Sequence, residues 1–331
     1  MASIDGAHPR ELRDKEVVLV LRSLDRRLVL QGLAGAAAAA SSPALAAEPA
    51  PSFLALGDWG RGGDRRQTAV ARAMAQAAAE VRSRFVISVG DNFYPAGVRS
   101  ADDPQWKTSF EDVYAAPSLQ TPWYAALGNH DYRGRPSAQI AYGRRDNRWQ
   151  MPSRSYAVSG ADLGIPNLDL FVLDTTPMVG DYDEALMRLA RGRVRVPKAG
   201  GQLAWLKRAL QHSHADWKVV VGHHPIYSGG RHGGSPELAA RLEPLFQAYG
   251  IQAYLCGHDH ALQHIQVGGT AHVCTGAGAS AGPVDNVPGT RFRYSQPGFA
   301  MFALEDRALR LEFRDLNGRS LYRAAISGAR G

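Results

Sequence analysis

The chain has 331 residues, of which 45% are apolar and 21% are charged. This composition is typical of a globular protein and excludes a largely disordered or fibrous one. The formal net charge of +7 is scattered along the chain, without a long cationic run or interleaved aromatic repeats, so it favours binding of small anions over binding of a nucleic acid.

The N-terminal segment has the features of an export signal. Arg26 and Arg27 precede a run of small, weakly apolar residues over 32–40, and Ala-Leu-Ala at 44–46 supplies a cleavage site. The apolar run is too short and too weakly hydrophobic for a stable membrane span. The order of these features predicts a twin-arginine-type signal peptide over 1–46, recognised by the twin-arginine export machinery, and a periplasmic or secreted mature protein. A disordered alanine-rich leader is the alternative.

From Pro51 onward, short β-rich runs alternate with helical patterns, which is typical of an α/β protein with helix-covered sheets. Apolar residues at helical spacing predict helices over Gln67–Val81 and Gln202–Gln211. The predicted strands are 53–56, 85–89, 123–127, 168–173, 218–221, 253–255, 271–274 and 299–304. No repeat or linker divides this part, so we expect one domain over 47–331, with a surface excursion over 174–201.

The two cysteines, Cys256 and Cys274, each end an apparent strand. They lack the C-x-x-C spacing of a structural zinc site. Two interpretations stay open at this stage: a disulfide between them, or two small buried thiols, of which the second is favoured.

Five polar clusters follow apolar strand-like runs, and each begins with glycine. They are G-D at 57–58, G-D-N-F-Y at 90–94, G-N-H-D at 128–131, G-H-H-P at 222–225 and G-H-D-H at 257–260. Because loops at the carboxyl ends of strands in an α/β fold converge on one crevice, we expect these side chains to meet. A single Asp or His of this kind is more typical of a turn or a buried polar residue. Five clusters together, each with an oxygen or nitrogen donor, predict a metal site.

The order and spacing of these motifs resemble the calcineurin-like metallophosphoesterases, and most nearly the small purple acid phosphatases, also called tartrate-resistant acid phosphatases. The resemblance runs from about Phe53 to Asp315 through A-L-G-D-W-G, S-V-G-D-N-F-Y, A-L-G-N-H-D, R-W-Q-M-P-S, G-H-H-P-I-Y-S and A-Y-L-C-G-H-D-H. It implies a four-layer α/β/β/α sandwich of two mixed sheets flanked by helices, with a dimetal site at one end of the sheets. The catalytic domain would then be 47–331.

The family pattern, transferred onto this sequence, implies two sets of metal ligands that share one carboxylate. The first set is Asp58, Asp91, Tyr94 and His260, and the second set is Asp91, Asn129, His223 and His258. Many relatives have a D-x-H first motif whose histidine binds the first metal, but here that position is Gly60. Tyr94 can replace the missing ligand.

The two sets suit different cations. A phenolate is a hard oxygen donor, and with Asp58 and Asp91 it neutralises a trivalent ion better than an imidazole would, so we expect Fe(III) in the first site. Two imidazoles, an amide and a shared carboxylate suit a divalent ion in the second site, namely Zn, Fe(II) or Mn. Such a pair would clamp phosphate oxygens and supply a metal-bound hydroxide as the nucleophile.

Two further histidines have expected roles in catalysis. In the family pattern His130 lies beside the leaving-group oxygen, where it can donate a proton, and orientation of a metal ligand is its structural alternative. His232 matches a second family histidine that contacts substrate, although Arg231 precedes it where relatives commonly have Glu. His224 is expected to line the pocket rather than to bind metal.

The resemblance implies an exported acid phosphatase, a hydrolase acting on phosphate monoesters of small molecules or of phosphoproteins. A phosphodiesterase or nucleotide hydrolase with the same dimetal site is the alternative. A phosphate-binding or metal-storage protein without turnover is disfavoured, because such a site does not need His130 and His232. We expect no nucleic-acid partner and no stable membrane span.

Overall fold

The computed structural model describes residues 49–179, 199–305 and 307–328. The predicted signal peptide over 1–46 lies outside this part of the chain, as do residues 180–198 of the predicted surface excursion. Within the described ranges, no helix is both long enough and apolar enough to cross a membrane.

The strands of the described chain form two mixed seven-stranded sheets. They are β1 (Ser52–Leu56), β2 (Val86–Ser88), β3 (Trp123–Ala125), β4 (Trp149–Gln150), β5 (Tyr156–Val158), β6 (Leu168–Val172), β7 (Trp217–Val221), β8 (Ala253–Cys256), β9 (Leu262–Val267), β10 (Thr270–Thr275), β11 (Thr290–Tyr294), β12 (Gly298–Glu305), β13 (Ala308–Asp315) and β14 (Ser320–Ser327). The first sheet has the order β14-β13-β12-β1-β2-β3-β4, and the second has the order β11-β9-β10-β8-β7-β6-β5. In the first sheet β1 to β4 are parallel, and in the second β6, β7, β8 and β10 are parallel.

The helices of the described chain are α1 (Arg65–Val81), α2 (Pro136–Tyr142), α3 (Gly160–Leu163), α4 (Ala199–His212) and α5 (Pro236–Tyr249). Short 3-10 turns cover Pro117–Leu119, Asp131–Arg133 and Thr176–Met178, and a π-helical turn covers Trp106–Glu111. Helix α1 begins where the Asp64 side chain accepts the N–H of Gln67, which satisfies a backbone donor that the helix leaves free. Helix α5 begins with the same kind of cap at Ser235 and ends at Gly250, whose φ of 62° suits glycine.

Alternating burial along the strands defines the layers. In β6, Leu170 and Val172 belong to the core between the two sheets, whereas Phe171 belongs to a second core that contains residues of α4 and α5. Successive side chains of a strand point to opposite faces, so the second sheet lies between the first sheet and these helices. On the other side, α1 packs Val70 and Met74 against the first sheet. The predicted four-layer α/β/β/α sandwich is therefore confirmed.

The predicted strands and helices are all present, with ends displaced by at most three residues. Helices α2, α3 and α5, strands β4, β5, β9 and β11, and the hairpin of β13 and β14 were not predicted. Pro244 inside α5 weakens its helical pattern, and β14 is an edge strand with a single buried residue. Cys256 and Cys274 are free, buried and in register on β8 and β10, so they are two buried thiols rather than a disulfide.

The glycine-led clusters follow β1, β2, β3, β7 and β8, within three residues of the carboxyl end of each strand. The two sheets are joined at this end by backbone hydrogen bonds. The N–H of Gly57, after β1, donates to the carbonyl of Thr275 in β10 at 2.9 Å, and the N–H of Gly278, after β10, donates back to the carbonyl of Gly57 at 3.0 Å. The clusters of both sheets therefore meet at one edge of the sandwich.

Candidate metal centre

The first predicted ligand set surrounds the phenol oxygen of Tyr94. Its Oη lies 2.7 Å from Asp58 Oδ1, 2.8 Å from Asp91 Oδ2 and 3.1 Å from His260 Nε2. His260 Nε2 is also 3.4 Å from Asp58 Oδ1, and the His260 side chain is 30% exposed while that of Asp58 is fully buried. Three oxygen donors and one nitrogen donor therefore converge on a point that solvent reaches from the His260 side.

The second predicted ligand set surrounds the amide oxygen of Asn129. This Oδ1 lies 3.2 Å from His223 Nε2 and 3.1 Å from His258 Nδ1. All three side chains are buried. His223 Nδ1 lies 3.0 Å from the carbonyl of Val89. A carbonyl only accepts, so this contact fixes the proton on Nδ1 and leaves the lone pair of Nε2 facing the site.

Asp91 lies between the two sets. Its Oδ2 faces Tyr94 at 2.8 Å, and its Oδ1 faces His223 Nε2 at 3.5 Å. Oδ1 also accepts the backbone N–H of His130 at 2.7 Å, which fixes the orientation of the carboxylate. One carboxylate therefore presents an oxygen to each donor set, as a bridging ligand requires.

The backbone is strained at three of the predicted ligands. Asp58, Asp91 and His258 have φ values of 61°, 50° and 68°, in the left-handed region that L-residues rarely adopt. Arg82 at the end of α1 is the only other non-glycine residue of this kind in the described chain. Each such residue costs roughly 1–3 kcal/mol, and strain of this kind clusters at functional sites. The strained backbone therefore lowers the folding stability of these loops, and it orients the three side chains toward the site.

The absence of a histidine at position 60 has a structural cause. The backbone of Gly60 lies so close to the next cluster that a Cβ atom would come within 2.0 Å of the Asn92 carbonyl oxygen. The Gly60 carbonyl also accepts the N–H of Tyr94 at 2.7 Å. Close packing at Gly60 thus excludes the D-x-H ligand and at the same time holds Tyr94, the residue predicted to replace it.

The electrostatics of the first set suit a highly charged cation. Burial alone would raise the pKa of Asp58, but the hydrogen bond to His260 and the charge of His223 hold it below its ordinary value. Burial and the neighbouring carboxylates of Asp58 and Asp91 raise the pKa of Tyr94 well above its ordinary value. A bound cation favours the phenolate, because it compensates the crowded negative charge. The donor set therefore fits the metal that the resemblance implies.

Side chains outside the predicted ligands hold the loops in place. Asp131 is fully buried and accepts the N–H groups of Gly128, at 2.9 Å, and of Asn92, at 3.2 Å. Burial, together with the charge of Asp91, raises the pKa of this carboxyl to about 7. On the second sheet, Thr175 Oγ1 accepts the N–H of His223 at 3.1 Å. These contacts orient the ligand loops of both sheets.

The two predicted catalytic histidines lie at opposite sides of the donor sets. The His130 ring lies 4.3 Å from the Tyr94 ring, its Nδ1 is 2.8 Å from the Pro95 carbonyl, and its side chain is 21% exposed. Burial lowers the pKa of His130 below its ordinary value. The His232 ring lies 4.3 Å from the His258 ring. His232 is exposed, and its backbone N–H donates to Asp259 Oδ1 at 2.8 Å. Each therefore borders one donor set and reaches solvent.

His224 lies closer to the second set than the sequence suggested. Its ring nitrogen, with those of His223 and His258, forms a group whose ligand atoms lie within 4.8 Å of one another. His224 Nδ1 is 3.0 Å from Thr175 Oγ1, and burial lowers the pKa of this histidine well below its ordinary value. A neutral imidazole therefore borders the second set. Trp59 and Phe93, which stand beside the predicted ligands Asp58 and Tyr94 in sequence, are fully buried and pack in the core.

Two residues near the first set had no signal in the sequence. Ser280 Oγ lies 2.7 Å from His260 Nδ1, and the Arg61 guanidinium lies 3.9 Å from the centre of the Tyr94 ring. Neither belongs to a metal-ligand motif. Their positions depend on contacts between loops that are far apart in the chain.

Comparison with known proteins agrees with this geometry. Residues 51–262 match the calcineurin-like phosphoesterase family. The chain is 36% identical over 307 residues to human tartrate-resistant acid phosphatase type 5, covering 86% of this chain and 94% of that protein. It is 40% identical over 284 residues to purple acid phosphatase 3 of Arabidopsis thaliana, covering 82% of this chain and 76% of that protein.

Two solved structures have a similar fold. A purple acid phosphatase from yellow lupin (Lupinus luteus) seeds superposes with a TM-score of 0.63 at 16% identity, over 85% of this chain and 54% of that one. The anchor protein GAP50 of the inner membrane complex of Plasmodium superposes with a TM-score of 0.72 at 25% identity, over 85% of this chain and 90% of that one. The family match and the curated relatives together decide the assignment. The chain belongs to the calcineurin-like phosphoesterases and, within them, to the purple or tartrate-resistant acid phosphatases.

Proposed function

We propose that this protein is an exported acid phosphatase that hydrolyses phosphate monoesters, with Fe(III) in the first site and Zn, Fe(II) or Mn in the second. The observation that carries the proposal is the arrangement of Asp91, whose two oxygens face two different donor sets at 2.8 Å and 3.5 Å. Substrates are phosphate monoesters of small molecules or of phosphoproteins. The first set would be Asp58, Asp91, Tyr94 and His260, and the second Asp91, Asn129, His223 and His258.

When bound, the two cations supply Lewis acidity, which lowers the pKa of water so that hydroxide can attack phosphorus, and which withdraws charge from the phosphoryl oxygens. The protein contributes position and protons. His130 Nδ1 lies 2.8 Å from the Pro95 carbonyl, which fixes one proton there, so the second proton of the imidazolium form, on Nε2, is the one that His130 would give to the leaving-group oxygen. His232, which borders the second set, would bind a phosphate oxygen.

Hydrolysis rates on two model substrates separate the proposal from its alternative. The purified, metal-loaded protein should hydrolyse p-nitrophenyl phosphate faster than bis(p-nitrophenyl) phosphate. A preference for the diester would favour a phosphodiesterase, and turnover of neither by fully metallated protein would favour a binding or anchoring role. The last outcome is a real alternative, because a Plasmodium anchor protein has the same fold.

The metals are tested independently of turnover. We expect metal analysis of the purified protein to find iron together with a divalent metal, and we expect a visible absorption band from charge transfer between the Tyr94 phenolate and Fe(III). Colourless, active protein with no iron would overturn the iron assignment and leave the phosphatase proposal standing, because the other ligands can hold divalent ions.

Export is tested on the N-terminal segment. Replacing Arg26 and Arg27 by lysine should leave the precursor in the cytoplasm, while the mature wild-type protein should begin near Ala47. Cell fractionation and N-terminal sequencing measure the two effects. Unchanged export of the Lys-Lys variant, or a mature N-terminus far from Ala47, would contradict the twin-arginine route.

A further inference from the structure

Arg61 places a positive charge directly on the first donor set. Its Cζ lies 3.9 Å from the centre of the Tyr94 ring. Its Nη2 donates to Ser280 Oγ at 3.2 Å, and Ser280 Oγ lies 2.7 Å from His260 Nδ1. One cation therefore contacts Tyr94 directly and His260 through a single hydroxyl group.

The backbone holds Arg61 firmly in this place. Its N–H donates to Gln67 Oε1 at 3.0 Å, and the same oxygen accepts the N–H of Gly63 at 2.9 Å. The Gln67 side chain is fully buried, and its Nε2 donates to the Ser109 carbonyl at 2.7 Å. Hydrogen bonds to Gln67 thus fix the loop that carries Arg61 against the first turn of α1.

The charge of Arg61 is not neutralised nearby. Among the described residues no ion pair joins it to a carboxylate, and its buried Nε has no hydrogen-bond partner there. A guanidinium above an aromatic ring is attracted to the electron-rich face of the ring. The attraction is greater when the ring carries the negative charge of a metal-bound phenolate.

We propose that Arg61 is a positioning residue for the first metal site, which stabilises the electron-rich ring of Tyr94 on Fe(III) and orients His260 through Ser280. This inference rests on the iron assignment made above. A positive charge over the ring lowers the energy of the electrons that Tyr94 donates, so the charge-transfer band lies at shorter wavelength than it would without Arg61. The same charge favours the reduced ion, so it raises the reduction potential of the iron.

Arg61→Gln in the full-length, metal-loaded protein tests both effects. The visible band should move to longer wavelength by on the order of 10 nm, because the cation no longer stabilises the electrons that the ring donates. The midpoint potential of the iron should fall. Arg65→Gln is the matched control, because Arg65 is exposed in the first turn of α1 and only four residues away; it should change neither quantity.

Two more variants separate the contacts. Arg61→Lys keeps the charge without the flat guanidinium, so it should move the band in the same direction by less. Ser280→Ala removes the hydroxyl that orients His260, and iron should be lost to a chelator roughly tenfold faster than from wild type. If Arg61→Gln fails to retain iron, the band of Arg61→Lys decides the question.

The role of Arg61 would be overturned if wild type is coloured and Arg61→Gln changes neither the band nor the potential. If Arg61→Gln does not retain iron, an unshifted band in Arg61→Lys would overturn it instead. Wild-type rates of iron loss in Ser280→Ala would overturn the link to His260. A wild type without iron or colour is a different result, because it overturns the iron assignment itself and, with it, this inference.

Discussion

The two sheets contribute different chemistry to the same centre. Loops after β1, β2 and β3 of the first sheet carry the oxygen donors, which are Asp58, Asp91, Tyr94 and Asn129. Loops after β7 and β8 of the second sheet carry the imidazoles, which are His223, His258 and His260. Neither sheet alone supplies a complete set, so the centre exists only when the two sheets pack against each other.

The two donor sets also differ from each other. The first combines three oxygen donors with one imidazole and is open to solvent at His260, which is 30% exposed. The second combines two imidazoles with an amide oxygen and the shared carboxylate, and its side chains are buried. A hard, anionic set beside a softer and more neutral one would favour two unlike cations, as the proposed metal assignment requires.

Asp91→Ala should have the largest effect, because it removes the carboxylate that serves both sets. Both metals should be depleted, and activity should fall on the order of 10³-fold or more, beyond the loss typical of an outer-shell change. Metal analysis and phosphatase assays measure the result. Asp102→Ala, at an exposed carboxylate, is the control. Two retained metals with near-normal activity would show that Asp91 does not bridge.

Tyr94→Phe should separate colour from catalysis on the oxygen side of the centre. The visible band should disappear, while Asp58, Asp91 and His260 still retain a metal and activity falls by roughly 10- to 100-fold. An absorption spectrum and a phosphatase assay on the same sample test this. Tyr249→Phe is a control away from the centre. A coloured Tyr94→Phe protein would show that another group donates to the iron.

A pair of variants on the nitrogen side should deplete different metals. His258 and His260 are two residues apart in one loop, but His258 Nδ1 faces Asn129 and His260 Nε2 faces Tyr94. His258→Ala should therefore lose the divalent metal and keep its colour, whereas His260→Ala should lose iron and colour first. Metal analysis of both proteins decides it, and equal losses of both metals in both variants would contradict the assignment to separate sets.

The sequence predicted that the candidate ligands would meet, because they stand in short motifs. Each motif begins within three residues of a strand end, and the apolar pattern of the strands was strong enough to place those ends. The spacing of Gly57-Asp58 or of His258 and His260 is local information. The five motifs together contain seven predicted ligands. The fold brings all seven to one edge of the sandwich, because each motif follows the carboxyl end of a strand.

The supporting contacts could not be predicted in this way. Ser280 is 20 residues from His260, and Thr175 is 48 residues from His223, with no motif around either. The same holds for His224, whose distance from the second set depends on how its loop turns. Hydrogen bonds between such loops follow from packing in three dimensions, which local pattern does not record.

The smallest predicted effect concerns Asp259, which joins the loop of His258 and His260 to the loop that carries His232. The buried Asp259 side chain accepts the His232 N–H at Oδ1, 2.8 Å away, and the Ser228 hydroxyl at Oδ2, 2.5 Å away. Asparagine keeps one acceptor and replaces the other by a donor, so Asp259→Asn breaks one of these bonds and loosens the His232 loop. Both metals and the colour should remain, while KM rises by roughly tenfold and kcat changes less.

A double-mutant cycle with His232→Ala tests whether Asp259 acts through that histidine. If it does, Asp259→Asn should add little to the KM of His232→Ala, because the residue it positions is already gone. Additive effects on KM would show that Asp259 contributes to substrate binding by another route, and loss of metal in the single variant would show that it supports the ligands instead. The cycle thus shows whether Asp259 affects substrate binding by positioning His232 or only stabilises the loop.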